Sequence, residues 1–187
     1  MIITITGTPG SGKTTIGKAL AQRLGYEFFS TGMLRRQMAK ERGLTLEEYN
    51  KLGETDPSTD LEADKYQEKL GKEKDNIIVD GKLAFHFIPN SVKIFITASE
   101  DVRAERILKD TKERNQQKAL TLEEQKKLNN ERIETDNYRY KKYYGIIVDM
   151  KNFDFILDTT NESNVDKNVD KIIDFLKSKG HLRNIFK

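Results

Sequence analysis

The chain has 187 residues, 36% of them hydrophobic and 34% charged, the make-up of one α/β domain with a modest core and a heavily solvated surface. A formal charge of +3 suits small anionic substrates but is too weak to argue for nucleic acid. With no cysteine there is neither a disulfide framework nor a Cys-ligated zinc site, and no apolar run approaches the roughly 20 residues of a membrane span.

Met1–Thr6 is a short β-branched run of the kind that forms a buried parallel strand. It leads into Gly7, Thr8, Pro9, Gly10, Ser11, Gly12, Lys13 and Thr14, which match the spacing G-x-x-x-x-G-K-[ST] in full. Behind it, from Thr15, the apolar residues Ile16, Ala19, Leu20 and Leu24 recur at helical spacing up to a stop at Gly25. Strand, glycine loop and helix N-terminus in this order mark a phosphate-cradling loop rather than a chance glycine turn. Glycines let successive backbone N–H groups turn inward on an oxyanion, and the helix dipole adds its positive end. Lys13 is then placed for the β- and γ-phosphates of a nucleotide, and the Thr14 hydroxyl for magnesium. With this loop beginning at residue 7, no leader is expected ahead of the fold, and a cytoplasmic enzyme is the expectation.

Tyr26–Ser30 reads as a second strand, and Thr31-Gly32 as a turn into a helix from Met33 to about Arg42. Thr45-Leu46-Glu47-Glu48 is a capping box opening a short helix that Gly53 ends, and Asp56-Pro57-Ser58 opens another running to about Glu73. This stretch is helical and polar, and it reads as an insertion standing on the sheet. Residues 71–76 read as a solvated loop. Ile77-Ile78-Val79-Asp80 is a strand ending in a carboxylate, either a capping aspartate or, given the upstream loop, a holder of magnesium-bound water. Val92–Thr97 is the next strand, and Ser99 caps a helix to about Lys112. A second copy of Leu-Thr-Leu-Glu-Glu, at 120–124 as at 44–48, opens a long helix to about Tyr144. Phe155–Asp158 is the last strand. Val165, Val169, Ile172, Ile173 and Leu176 form the stripe of a packing helix, and the basic end, 177–187, is expected to fray. Five strands alternating with helices predict a doubly wound parallel sheet with two polar helical excursions, around 33–73 and 110–136.

Arg132, Asp136 and Arg139 fall at i, i+4 and i+7 of the long helix and share one face. They form either a phosphate clamp held by the aspartate or a solvated ladder of ion pairs. Arg36 can point back to an anion beside the loop. Arg103 and Arg106 either do the same or pair with Glu100, Glu105 and Asp110. His86, between Phe85 and Phe87, reads as packed rather than catalytic. No nucleophile–base pair is present, and none is needed if the acceptor is a phosphate, whose second pKa of about 6 leaves it ionised near neutrality. Catalysis would then be alignment and charge neutralisation.

These residues resemble the cytidylate kinases, in particular the short archaeal form within the nucleoside monophosphate kinases. The resemblance runs through Gly7–Thr15, Ser30-Thr31-Gly32 with Arg36, Val79–Leu83, Val102–Ile107, Arg132, and Asp136-x-x-Arg139-Tyr140 with Tyr144-Gly145, then Phe153-Asp154 and Leu157-Asp158-Thr159. It implies transfer of the ATP γ-phosphoryl to CMP, and to dCMP, with Mg2+. It further implies an acceptor site including Thr31, Gly32, Arg36, Lys82, Arg132, Asp136 and Arg139, with Lys13, Arg132 and Arg139 catalytic. Thr14 and Asp80 are the implied metal residues, and Gly7–Thr15 hold the donor. Asp64 and Gln67 are candidates for the base edge, and Lys112, Arg114 and Lys118 for lid cations. The implied layout of residues 1–187 is a single kinase domain, with core 1–32, 76–109 and 137–187, a monophosphate-binding insertion 33–75 and a lid 110–136; a monomer is implied too. Lys82 stands where the family usually has arginine, Phe85-His86 replace a glycine and a tryptophan-like position, and Ile147 replaces an aspartate. Two alternatives remain open: a kinase for UMP, AMP or a non-nucleotide acceptor, and a nucleotide-dependent switch. Against the switch, the guanine-specific strings Asp-x-x-Gly and Asn-Lys-x-Asp do not occur.

Overall fold

The computed structural model describes residues 1–56, 58–113 and 120–182. Five strands, β1 (Ile2–Gly7), β2 (Glu27–Ser30), β3 (Ile77–Asp80), β4 (Val92–Thr97) and β5 (Phe155–Asp158), form one sheet in the order β2-β3-β1-β4-β5. Every pairing is parallel. From β1 the chain crosses to the edge strand β2, returns to β3 beside β1, and then moves out through β4 to β5, so the carboxyl end of β1 lies at the switch point where such sheets bind ligands. The doubly wound expectation holds.

The core follows from the period of two along buried strands. On one face, Ile3, Ile5, Ile78, Ile94, Ile96 and Leu157 meet Leu20 and Ala21 of α1 (Lys13–Leu24) and Val169, Ile172 and Leu176 of α8 (Val165–Ser178). On the other face, Ile77 and Val79 meet Leu70 of α4 (Ser58–Glu73) and Ala84 of α5 (Ala84–Phe87). Two threonines of β1 share this second face and are satisfied locally. The hydroxyls of Thr4 and Ser91 lie 2.9 Å apart, and Thr6 Oγ1 donates to Gly81 O at 2.9 Å.

α2 (Thr31–Glu41) and α3 (Leu46–Leu52) make a small core of their own from Met38, Ala39 and the fully buried Tyr49. α4 differs from its neighbours in the insertion, because Leu70 anchors it directly on β3. It also runs through Glu73, so the solvated loop begins later than its composition suggests. α6 (Glu100–Glu113) and α7 (Leu122–Tyr144) follow, then a single 3-10 turn at Met150–Asn152. Both Thr45 and Thr121 complete their capping boxes, each accepting from the N3 amide at 3.2 Å while the N3 glutamate accepts from the cap amide at 2.7 Å. The expected turn at Thr31-Gly32 is instead the first turn of α2. Ser30 caps it, accepting from the Met33 amide at 3.4 Å, so the helix begins two residues before Met33. Residues 183–187 of the expected basic tail lie outside the described residues, while Leu182 still packs against the main core.

Ile5 is wholly buried between α1, α8 and the adjoining strands. Ile5→Ala should lower unfolding free energy by about 2–5 kcal/mol without changing the far-ultraviolet circular dichroism, as measured by urea denaturation.

Candidate active site

β1 ends in a loop that only these glycines permit. A Cβ on Gly7 would stand 2.1 Å from Ile96 O, and one on Gly10 would stand 2.4 Å from Arg103 O. Gly10 and Gly12 take φ of 77° and 85°, in the left-handed region. The loop therefore curls back on itself, with the Ser11 amide donating to Thr8 O at 3.3 Å, and delivers Gly12 as the N-cap of α1. The first-turn amides of α1 have no carbonyl four residues behind them, so they offer donors and the positive end of the dipole to an anion. Lys13 is bent over this nest, its Nζ donating to Thr8 O at 3.4 Å. Burial pulls its ammonium down to about 8, with Asp80 opposing and Lys82 and Arg132 assisting the drop.

The register of β1 on β3 pairs Ile5 with Asp80 and so sets the Asp80 carboxylate beside the loop. Asp80 Oδ2 accepts from Thr14 Oγ1 at 2.5 Å and from Ser30 Oγ at 3.1 Å. The carboxylate is thus tied to the glycine loop. A hydroxyl and a carboxylate are hard oxygen donors suited to magnesium, which takes one or two protein ligands and keeps waters and phosphate oxygens for the rest. Among the described residues no group of three or more His, Cys, Asp or Glu gathers to hold a metal by itself.

Facing the loop is α7, where Asp136 and Arg139 are buried and Arg132, one turn earlier, is exposed. Arg139 Nη2 donates to Asp136 Oδ1 at 2.5 Å, and Lys82 Nζ is paired with Asp136 Oδ2. Burial alone would raise the Asp136 carboxyl, but Lys82, Arg132 and Arg139 overcome that and hold it at about 2. Burial lowers the Lys82 ammonium despite this partner. Of the two readings of the 132/136/139 face, a solvated ladder does not fit an arginine only 1% exposed. The arrangement gathers cations at one end of the sheet around two carboxylates, leaving an excess of positive charge for a polyanion.

A model of the cytidylate kinase-like family matches residues 2–161 of the chain. The chain belongs to the cytidylate kinase-like family. It is 37% identical over 180 residues to a cytidylate kinase of Methanocella arvoryzae, covering 95% of this chain and 99% of the relative. It is 38% identical over 165 residues to a cytidylate kinase of Pyrococcus furiosus, covering 87% and 82%. A shikimate kinase structure from Bacteroides thetaiotaomicron superposes with a TM-score of 0.66 at 19% identity, over 95% of this chain and 98% of that one, and so shares the fold.

In this cytidylate kinase-like chain the remaining predicted residues divide. Thr31 is buried beside Gly81, Gly32 lies in the first turn of α2, and Arg36 stands exposed on that helix. Its neighbour Arg35 is pinned inside the insertion, donating to Asn50 Oδ1 and Thr59 O and lying over the Tyr49 ring. Arg106 braces the loop from behind through Thr159, whereas Arg103 bonds back to the chain just ahead of its own helix. Arg103 Nε donates to Ala98 O at 3.1 Å, and Arg106 donates twice to Thr159 at 2.8 Å. Thr159 Oγ1 in turn lies 3.1 Å from Ser11 O, a brace that the sequence reading passed over. His86 is exposed, its ring edge-on to Phe87 at 5.1 Å rather than packed in the core. α5 is a single turn that sends Phe85 inward and the next residue out. Arg114, Lys118 and the Lys112 side chain lie outside the described residues. Sequence reading also missed the tie from α7 to the insertion, where Tyr143 Oη donates to Gly53 O at 2.8 Å and Lys142 Nζ to Glu54 O at 2.7 Å.

The Asp136 carboxyl is depressed from 3.8 to about 2. Its stabilisation is therefore complete above the unfolded value and is lost as pH falls through the folded one, about 2 kcal/mol disappearing between pH 4 and 2. Asp136→Asn should flatten that part of the stability–pH curve and cost about 3–5 kcal/mol at pH 7, because Lys82 and Arg139 lose their shared counter-charge.

Proposed function

We propose that the protein transfers the γ-phosphoryl group of ATP to CMP, and to dCMP, giving CDP and ADP. The observation that supports this most is the pairing of a phosphate nest with a facing buried array, Lys82–Asp136–Arg139, in a chain whose archaeal relatives carry the name cytidylate kinase. The donor's polyphosphate lies on the amides of Gly7–Thr15, with Lys13 on its outer phosphates. The acceptor phosphate meets Lys82, Arg132 and Arg139, with Thr31, Gly32 and Arg36 along its approach. Near pH 7 that phosphate is already largely a dianion, so its oxygen attacks without a protein base. Lys13, Arg132 and Arg139 then hold the two ends in line and neutralise charge on the group in transfer. Lys82 contributes a compact charge where the family usually offers an arginine fork. Thr14 and Asp80 hold magnesium, which when bound draws charge from the phosphate oxygens.

The insertion at 33–75 carries the acceptor and the segment 110–136 closes over the donor, on a core of 1–32, 76–109 and 137–187. Closure of both would exclude water and protect ATP from hydrolysis. In this reading the protein works as a cytoplasmic monomer. Among the described residues no helix is long and apolar enough to cross a membrane.

An ADP-release assay with each nucleoside monophosphate in turn tests the assignment. CMP or dCMP should give the highest kcat/KM, and Lys13→Ala should abolish transfer to either while leaving the fold intact. A rate with AMP or UMP about tenfold or more above both would contradict the proposal.

A further inference from the structure

Two buried oxygens at the end of β3 have no hydrogen-bond partner among the described residues. They are Gln67 Oε1, on α4, and Thr31 Oγ1, on the first turn of α2. Both lie against Gly81, where an added Cβ would stand 2.5 Å from the first and 2.6 Å from the second. Buried polar atoms of this kind are uncommon in folded proteins, and each calls for an explanation. Gly81 sits between Asp80, tied to the glycine loop, and Lys82, tied to Asp136. The two oxygens are therefore adjacent to both halves of the active site.

The Gln67 amide is also fixed in direction. Its Nε2 donates to Asp64 Oδ1 at 2.9 Å, and the other oxygen of that carboxylate accepts from Tyr144 Oη of α7. A carboxylate only accepts, so the amide cannot turn over and offer its NH2 toward Gly81. Gln67 thus presents a dedicated acceptor, whereas the Thr31 hydroxyl can donate or accept.

From this we propose that Gln67, oriented by Asp64 and Tyr144, is the residue that selects cytosine over uracil, by accepting a hydrogen bond from the 4-amino group of the acceptor base. Uracil places a carbonyl oxygen at that position and would set acceptor against acceptor in a buried site. Thr31 can bond the neighbouring ring nitrogen of either base, adding affinity without choosing. Asp64 and Tyr144 are positioning residues that act through Gln67. The inference rests on a pyrimidine nucleoside monophosphate being the acceptor.

The test compares kcat/KM for three acceptors: CMP, UMP, and the 5′-monophosphate of pyrimidin-2-one riboside, which is CMP without its amino group. The wild-type protein should favour CMP over each of the other two by at least about tenfold, and Gln67→Ala should bring the three within about threefold of one another. Tyr144→Phe keeps the ring and should narrow the CMP-to-UMP ratio at least about threefold, with CMP still preferred. Equal use of CMP and the deamino analogue by the wild-type protein overturns the proposal, a result that does not depend on any variant folding. Undiminished discrimination by Gln67→Ala, with cooperative thermal unfolding retained, overturns it as well. Absence of transfer to all three acceptors from folded wild-type protein would instead overturn the kinase reading beneath it.

Discussion

One carboxylate, that of Asp136, organises the charge of this molecule. It lies between Lys82 from the end of β3 and Arg139 one turn along α7, all three largely out of water. Like-charged groups brought together in a low dielectric repel strongly, and burial penalises each of them separately. Without a counter-charge the two cations would swing to solvent or unfold the site. With Asp136 between them they are held in place before any substrate arrives. In the proposed mechanism such preorganisation would remove the reorganisation cost that water imposes when charge shifts during phosphoryl transfer.

The sheet supplies the other half of the geometry. Register on β3 brings Asp80 level with the end of β1, and the glycine loop leaves from that same end. Arg106 and Thr159 then clamp the loop from the side of β5. Glycine loop and cationic array thus both stand at the carboxyl end of the parallel sheet. The helices that join them, α3, α4 and α7, are linked by contacts such as Tyr143 to Gly53 and Tyr144 to Asp64.

Features encoded by neighbouring residues were legible in the sequence. The glycine loop, the alternating strands and both Thr-x-x-Glu capping boxes depend on spacings of a few residues, and all formed as read. What the sequence left ambiguous depends on partners far along the chain. The shared face of Arg132, Asp136 and Arg139 was visible, but the choice between ladder and buried array turned on Lys82, 54 residues from Asp136. Arg106 carries no local sign that it would brace the loop, because Thr159 lies 53 residues beyond it. Thr31-Gly32 looked like a turn because glycine usually signals one, yet the Ser30 hydroxyl satisfies the helix start and draws both residues into α2. His86 was expected to pack because both neighbours are aromatic. Yet the single turn of α5 directs Phe85 into the core and leaves His86 in solvent.

The most direct measurement is a crystal structure with a bisubstrate analogue in which adenosine and cytidine are joined through five phosphates. Phosphates should lie on the amides of residues 10–14 at one end and within hydrogen-bond reach of both Lys82 and Arg139 at the other. A phosphate chain that avoids Lys82 and Arg139, leaving them closed on Asp136 alone, would contradict it.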